Sequence, residues 1–549
     1  MARGSRPMTR ALPVLLIILL GAPLLHALGA AFAAASDAAA WRALADDPQT
    51  LRALMLSVWS GVASTVLAVA VSAWLLRYSF GTPLWLRLVR LLAPMLAVPH
   101  AAFAIGLALL VAPSGWLLRA VSPWASGLTA PPPWPTTQDP WALGLIAVLV
   151  AKEVPFLLWA AASHLQRADV AQRLRRELQV AHSMGYGDGA AWWRVAWPPL
   201  HRRLRWPMLA VLAYSMTVVD VALVIGPGSP PTLGMLAWNW LQDANAATNV
   251  QGAAAAWLLA LALAGSTGVL WAGTQAPMWR SRWSNGCRGA ATSRFGAHGG
   301  ALALGLLGAS YLAVMLALAV GSVSGVWPFP DLLPRTFTWD AWASVRSSAG
   351  TIGTTSSRGL ASCATALAWS VAWLECAPTA WDAWLRRFVY LPLVLPSVLW
   401  VLGIHATTLA LGIDATWSGL WLAHTLACVP YVLIALSPAY TGFDPRYGQV
   451  AASLGHGRMY FLLAVKWPLL RAALTAALAV GFAVSVAQYL PTLFIGAGRF
   501  NTVTTEAVTL ASGAQRSLTS AYAWLQCLLP VIGFMLATWA GRPRRFFKT

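Results

Sequence analysis

QVAHSMGYGDGAAWWRVAWPPL, residues Gln179–Leu200, returns 270 residues later as QVAASLGHGRMYFLLAVKWPLL, residues Gln449–Leu470. Aligned without a gap, the two share Gln, Val, Ala, Ser, both Gly, Val, Trp, Pro and Leu, 10 identities in 22 positions. Unrelated segments of this length share roughly one or two, so the chain carries a duplicated module. Each copy reads as two short helices around a glycine break. In the second, Asp444 can accept a backbone N–H as N-cap, Pro445 occupies the first turn where its missing donor costs nothing, and the helix ends at Gly455. In the first, Asp169 starts the helix and Gly185 ends it; Val170, Leu174, Leu178 and Ala181 form the apolar side, with Arg173 and Arg176 off it. A second helix follows to Trp197 or Trp467, and Pro198 or Pro468 then redirects the chain into an apolar stretch.

Those apolar stretches set the class. With 58% hydrophobic and 10% charged residues among 549, and a mean hydropathy of +0.63, the chain cannot present an ordinary soluble surface. It reads as an all-α, polytopic membrane protein. Runs near the roughly 20 residues that a bilayer needs fall at 11–35, 51–76, 91–112, 141–163, 207–225 and 253–273, then at 302–320, 359–374, 388–411, 420–438, 472–495 and 522–540. The expectation is about twelve spans in two homologous six-helix halves. Residues 1–274 form a first module with its loop at 167–206. A basic linker at 275–298 carries Arg280, Arg282, Arg288 and Arg294, and residues 299–549 form a second module with its loop at 441–471. The first run, behind Arg3, Arg6 and Arg10, ends in AFAAAS and competes with a signal peptide. It is longer than a signal core of about 7 to 15 residues, which favours an uncleaved span.

Shorter matches in the same order support duplication beyond the loop. LLAPMLAVPHAAFAIG from Leu91 resembles VYLPLVLPSVLWVLG from Val389, VPF from Val154 matches VPY from Val429, and IGPG from Ile225 matches IGAG from Ile495.

A net charge of +20 would point to nucleic acid in a soluble protein. Here 28 of the 37 Lys and Arg fall in the termini and the even-numbered loops, eight fall in or beside odd-numbered loops, and Lys152 lies within a span. The positive-inside rule therefore places both termini and both duplicated loops in the cytoplasm, with membrane lipid rather than nucleic acid as the surrounding partner. The five cysteines form no C-x-x-C pair and none falls in an outer loop, so neither disulfide nor metal is expected. Only Lys152, Lys466 and Lys548 are lysines and none follows a glycine. No G-x-x-x-x-G-K-[ST] phosphate loop exists, and any ATPase that drives this chain is a separate polypeptide.

The duplicated stretch resembles the EAA loop of binding-protein-dependent ABC importer permeases of the type I class: Glu-Ala-Ala, three residues, Gly, and a downstream Pro. The Glu position is Gln179 or Gln449, followed by Val180, Ala181, Ser183 and Gly185 and later Pro198, or by Val450, Ala451, Ser453 and Gly455 and later Pro468. Replacing Glu with Gln removes a charge-assisted contact and leaves an amide. The fused halves and the W-P-x-L ending look most like the thiamine permease and its uncharacterised relatives, with ferric-iron permeases as cousins. The resemblance implies a permease subunit of the bacterial inner membrane. In that family this loop is a coupling helix seated in a cytoplasmic ATPase, here expected as a homodimer, and a periplasmic binding protein delivers the solute. Such a permease performs no bond chemistry and binds no cofactor of its own, ATP being used by the partner. Thiamine-like cations, ferric iron and polyamines all remain open as solutes, because the binding protein does the selecting.

Charged groups within spans are costly and mark candidate pathway residues. Asp220 lies deep in the fifth span; 270 residues on stands Leu490, beside Gln488 and Tyr489, and these three residues could line a path for a cationic solute. Lys152 and Glu153 are adjacent on a helix and cannot face each other, and a packing role competes with a functional one. Arg358 reads as a snorkelling residue at a span edge. His100, His405 and His424 occur singly, without ligand spacing, and read as packing histidines. Trp238, Trp240, Trp327, Trp339 and Trp342 read as interfacial anchors. A twelve-span secondary transporter also shows duplicated halves, but YSFGTPLWLRLVR at 78–90 lacks the acid of a G-x-x-x-D-R turn. A lipid-linked transferase needs paired carboxylates, and the only acidic cluster, Asp37, Asp46 and Asp47, has no His or Arg-rich support.

Overall fold

The computed structural model describes residues 8–34, 36–275, 288, 294–513 and 515–542, so most of the expected linker lies outside the described residues. Among these residues the chain is helical apart from one isolated bridge, Ser324 to Phe337. Among the described residues, nine helices are long and apolar enough to cross a membrane, or up to eleven when two sharply bent pairs each count as one.

The difference from twelve unbroken spans has local causes. The expected spans at 91–112 and 388–411 each contain an X-Pro step, Val98-Pro99 and Leu395-Pro396. Proline supplies no N–H and forces the preceding residue out of the helical region. The chain therefore forms Pro83–Ala97 then His100–Val111, and Thr379–Val389 then Ser397–Ala410, the latter pair bent by 106°. The expected fifth and eleventh spans are interrupted as well. Trp197–Thr217 gives way to Asp220–Ile225 at the β-branched pair Val218 and Val219, and Arg471–Val486 gives way to Leu490–Gly496, whose first turn holds Pro491.

The two lists of elements run in parallel, and so do the hydrogen bonds that pin their irregular parts. Leu233–Leu241 and Val503–Ala511 are short helices that follow the IGPG and IGAG turns. The Leu233 N–H donates to Ser57 Oγ at 2.8 Å, and the Val503 N–H donates to Thr355 Oγ1 at 2.9 Å. Ahead of them, the Ile225 carbonyl accepts from Gln138 N–H at 3.2 Å and the Ile495 carbonyl from Ala415 N–H at 3.1 Å. Leu143–Leu165 and Trp417–Thr441, the most buried of the spans, stand at the centre. Asp139 caps the first of these by accepting from the N–H groups of Leu143 and Gly144 at 2.8 and 2.9 Å.

The first span of each half crosses to the other half. Met8–Ala34 buries Leu16, Leu20, Leu24, Ala27 and Ala31 along one stripe against Ser397–Ala410, and Arg294–Ser322 packs on His100–Val111. Trp369 Nε1 donates to the Leu16 carbonyl at 3.0 Å, and His26 Nδ1 meets Thr407 Oγ1 at 3.0 Å. Each crossing runs over a glycine seven residues after the helix-breaking proline. A Cβ on Gly106 would sit 2.5 Å from Val314 Cγ1, and one on Gly403 would overlap the Ala27 carbonyl. Gly403→Ala should therefore cost about 1 to 3 kcal/mol, read as a lower unfolding temperature in detergent. Gly265→Ala, with nothing within 4 Å of the added Cβ, should leave that temperature unchanged or raise it.

Candidate functional site

Each duplicated loop begins with a helix, Ala168–Ser183 or Arg446–Ser453, and ends it in the same way. Gly185 and Gly455 have φ of +85° and +77°, a region that favours residues without a Cβ. Gly185 N–H donates to the His182 carbonyl and Tyr186 N–H to that of Ala181; Gly455 N–H donates to Ala452 and His456 N–H to Ala451. Both are Schellman turns. Ala181 and Ala451 are each 6% exposed, while Gln179, Val180, Ser183 and Met184, and likewise Gln449, Val450, Ser453 and Leu454, are exposed. Ser183 Oγ donates to the Val180 carbonyl and Ser453 Oγ to that of Val450, both at 2.8 Å. Each loop thus offers an apolar pair, an amide and a glycine turn to the surrounding water while its alanine packs inward.

Two local expectations change. Asp444 accepts from Arg446 N–H at 2.9 Å, but Pro445 rather than Asp444 holds the N-cap of the second helix; the first helix has Arg167 at its N-cap, and Asp169 lies in the first turn, paired with Arg167 at 3.2 Å. A carboxylate there meets the positive end of the helix dipole without capping it. Nor does Pro198 redirect the chain. Asp188–Ala191, a π-helical segment Trp192–Ala196 and Trp197–Thr217 follow without a break. The wider π turn accommodates the proline ring and its missing donor. The second copy has a π segment too, Phe461–Lys466, yet it bends by 75° between Arg458–Leu469 and Arg471–Val486, just past Pro468.

A second group of polar side chains lies inside the bundle. Lys152 Nζ donates to the Met95 carbonyl at 2.9 Å and the Val98 carbonyl at 2.5 Å, holding the open end of Pro83–Ala97 at its proline break. Glu153 faces elsewhere, with His100 Nε2 3.3 Å from its Oε1, and the His100 ring lies 4.7 Å from that of Tyr214. The half-buried Asp220 carboxylate is within electrostatic range of His100, Tyr214 and Tyr489, which brings residues of both halves together. Gln488 bonds back to its own helix at the Val484 carbonyl, 3.3 Å away. His424 is a packing histidine, with Ser485 Oγ at 2.7 Å and Thr492 Oγ1 at 2.9 Å. Arg358 does not snorkel. It is buried ten residues into Ala349–Cys376, its guanidinium 4.2 Å from the Phe500 ring centroid. Trp238 is buried rather than interfacial, whereas Trp339 is exposed. Sequence reasoning passed over Glu375, which gathers Lys466, Arg458 and Tyr440. The available signal was a rare lysine inside the duplicated loop.

An all-helical bundle with interlaced first spans, broken spans near its centre and two like loops is the architecture of a membrane transport subunit. No family model matches the sequence. The chain is 33% identical over 543 residues, 96% of each chain, to the inner membrane ABC transporter permease protein YnjC of Escherichia coli (strain K12). It is also 24% identical over 107 residues to the spermidine/putrescine transport system permease protein PotC of Haemophilus influenzae, a match covering 20% of this chain and 42% of that one. The chain belongs to the ABC transporter permeases.

Lys152→Met should leave the Met95 and Val98 carbonyls unpaired at the break and cost about 2 to 4 kcal/mol. The check is thermal unfolding of the purified protein, where Lys152→Arg, which retains donors, should recover part of the loss.

Proposed function

We propose that the chain is the membrane subunit of an ATP-driven importer, built from two permease modules, 1–274 and 299–549, joined by the linker 275–298. The observation that carries this reading is the pair of Schellman turns with matched exposure, position for position, at Gln179, Ala181, Ser183 and Gly185 and at Gln449, Ala451, Ser453 and Gly455. Two equal surfaces suit two copies of one ATPase subunit, and an exposed Val–Met or Val–Leu pair beside an amide suits a shallow cleft. ATP binding belongs to that partner, since this chain has no phosphate loop. A periplasmic binding protein would load the opposite face. Closure of the ATPase pair would move each loop with its span as a rigid body and open the path alternately outward and inward. Asp220, Gln488 and Tyr489, at the two interrupted spans, are the proposed lining of that path. Both termini and both loops would then lie in the cytoplasm of a bacterium, beneath the inner membrane. No observation favours an ion-coupled secondary transporter.

Cysteines placed at Ser183 and Ser453 should react with a membrane-impermeant maleimide only after the cell membrane is opened, and should crosslink to an ATPase subunit. Labelling of either position in intact cells would overturn the topology. Gly185→Pro and Gly455→Pro, which cannot hold a positive φ, should insert normally and lose the ATPase crosslink; retention of the crosslink in both would count against coupling through these turns.

A further inference from the structure

The second duplicated loop is fastened to the bundle by a network of hydrogen bonds and ion pairs centred on Glu375. Glu375, the penultimate residue of Ala349–Cys376, accepts from Tyr440 Oη at 2.9 Å, Arg458 Nη2 at 3.1 Å and Lys466 Nζ at 2.7 Å. Its backbone carbonyl accepts from Arg458 Nη2 at 2.7 Å. Trp467 Nε1 donates to Tyr440 Oη at 3.2 Å, and Lys466 Nζ lies 4.0 Å from the Tyr440 ring centroid. The Glu375 and Lys466 side chains are 15% and 13% exposed, so the pair escapes most of the screening that weakens surface ion pairs. Three elements meet here: the second span of the half, its central span Trp417–Thr441, and the loop after Gly455.

At the matching positions the first loop has Asp188 and Ala196 in place of Arg458 and Lys466. Its contacts with the bundle include the Arg77 guanidinium of Thr50–Ser79, which lies against Gly189, and the Phe80 ring, 6.1 Å from Trp192 with Arg175 over it at 5.9 Å. That loop has another source of stiffness, because its second helix continues through the π turn into the membrane. The second loop has a π turn as well, Phe461–Lys466, but the chain then bends by 75° between Leu469 and Arg471. A bend is a point of compliance, and a loop that must move with its span needs another attachment there.

We propose that Glu375 is a positioning residue that locks the second loop to Ala349–Cys376 and Trp417–Thr441, supplying through side chains the rigidity that the first loop has through an unbroken helix. Its consequence for transport rests on the reading of the loops as coupling elements; the joint itself is a property of this chain alone.

Hydrogen exchange of the purified full-length protein, read by mass spectrometry, tests it. In Glu375→Gln and Lys466→Met, exchange across 446–469 should rise about tenfold or more, while exchange across 168–196 stays as in the wild type. Lys466→Arg, which keeps the charge, should restore most of the protection. Unchanged exchange at 446–469 in both loosening variants would overturn the proposal. So would an equal rise in both loops, which would report general destabilisation. If instead the Gly185→Pro and Gly455→Pro variants retain their ATPase crosslinks, the coupling reading fails, and the exchange comparison still decides the joint.

Discussion

A helix that stops inside a bilayer exposes N–H and C=O groups to hydrocarbon, where nothing replaces the water they would otherwise bind. This protein interrupts several of its spans, and side chains from neighbouring helices take up backbone groups that the irregular segments leave open. The Lys152 ammonium closes the Val98-Pro99 break, and the Ser57 and Thr355 hydroxyls receive the first amides of the two short helices that follow the IGPG and IGAG turns. Charged and hydroxyl residues that look out of place in apolar runs are therefore structural in part. Their presence allows bent, non-helical backbone to persist near the centre of the bundle.

Much of this was legible in the residues. The apolar runs gave the class, and the repeated loop gave the two glycine turns, because a helix ending at a glycine three or four residues past its last buried alanine has few ways to close. The Pro-x6-Gly spacing shared by 99–106 and 396–403 was visible as a resemblance, but its meaning was not, since a glycine in a span does not announce which helix crosses it. The breaks were harder to see. Hydropathy averages over a proline, so Leu91–Ala112 and Phe388–Leu411 read as continuous runs although both helices break at their prolines. Arg358 misled for a related reason: its partner, the Phe500 ring, lies more than a hundred residues away.

Duplication kept the geometry of the loops and let their chemistry diverge. Both copies close with the same hydrogen bonds and show the same exposed pairs, yet Phe80 and Arg77 stand against the first and the Glu375–Lys466 ion pair against the second. Both copies pass through a π turn, Trp192–Ala196 and Phe461–Lys466, and the bend that follows in the second decides which kind of support is needed. Equivalent surfaces can therefore meet equivalent partners while being held by unlike means.

The crossing of the first spans bears on how such a chain is made. Leu16 meets Trp369, a residue 353 positions later, so the opening helix enters the bilayer long before its seat exists. At synthesis rates of about 5 to 20 residues per second, it waits on the order of half a minute. A segment apolar on every side can wait in lipid without harm, which gives a reason for Met8–Ala34 to be greasy around its whole circumference although only one stripe is finally covered.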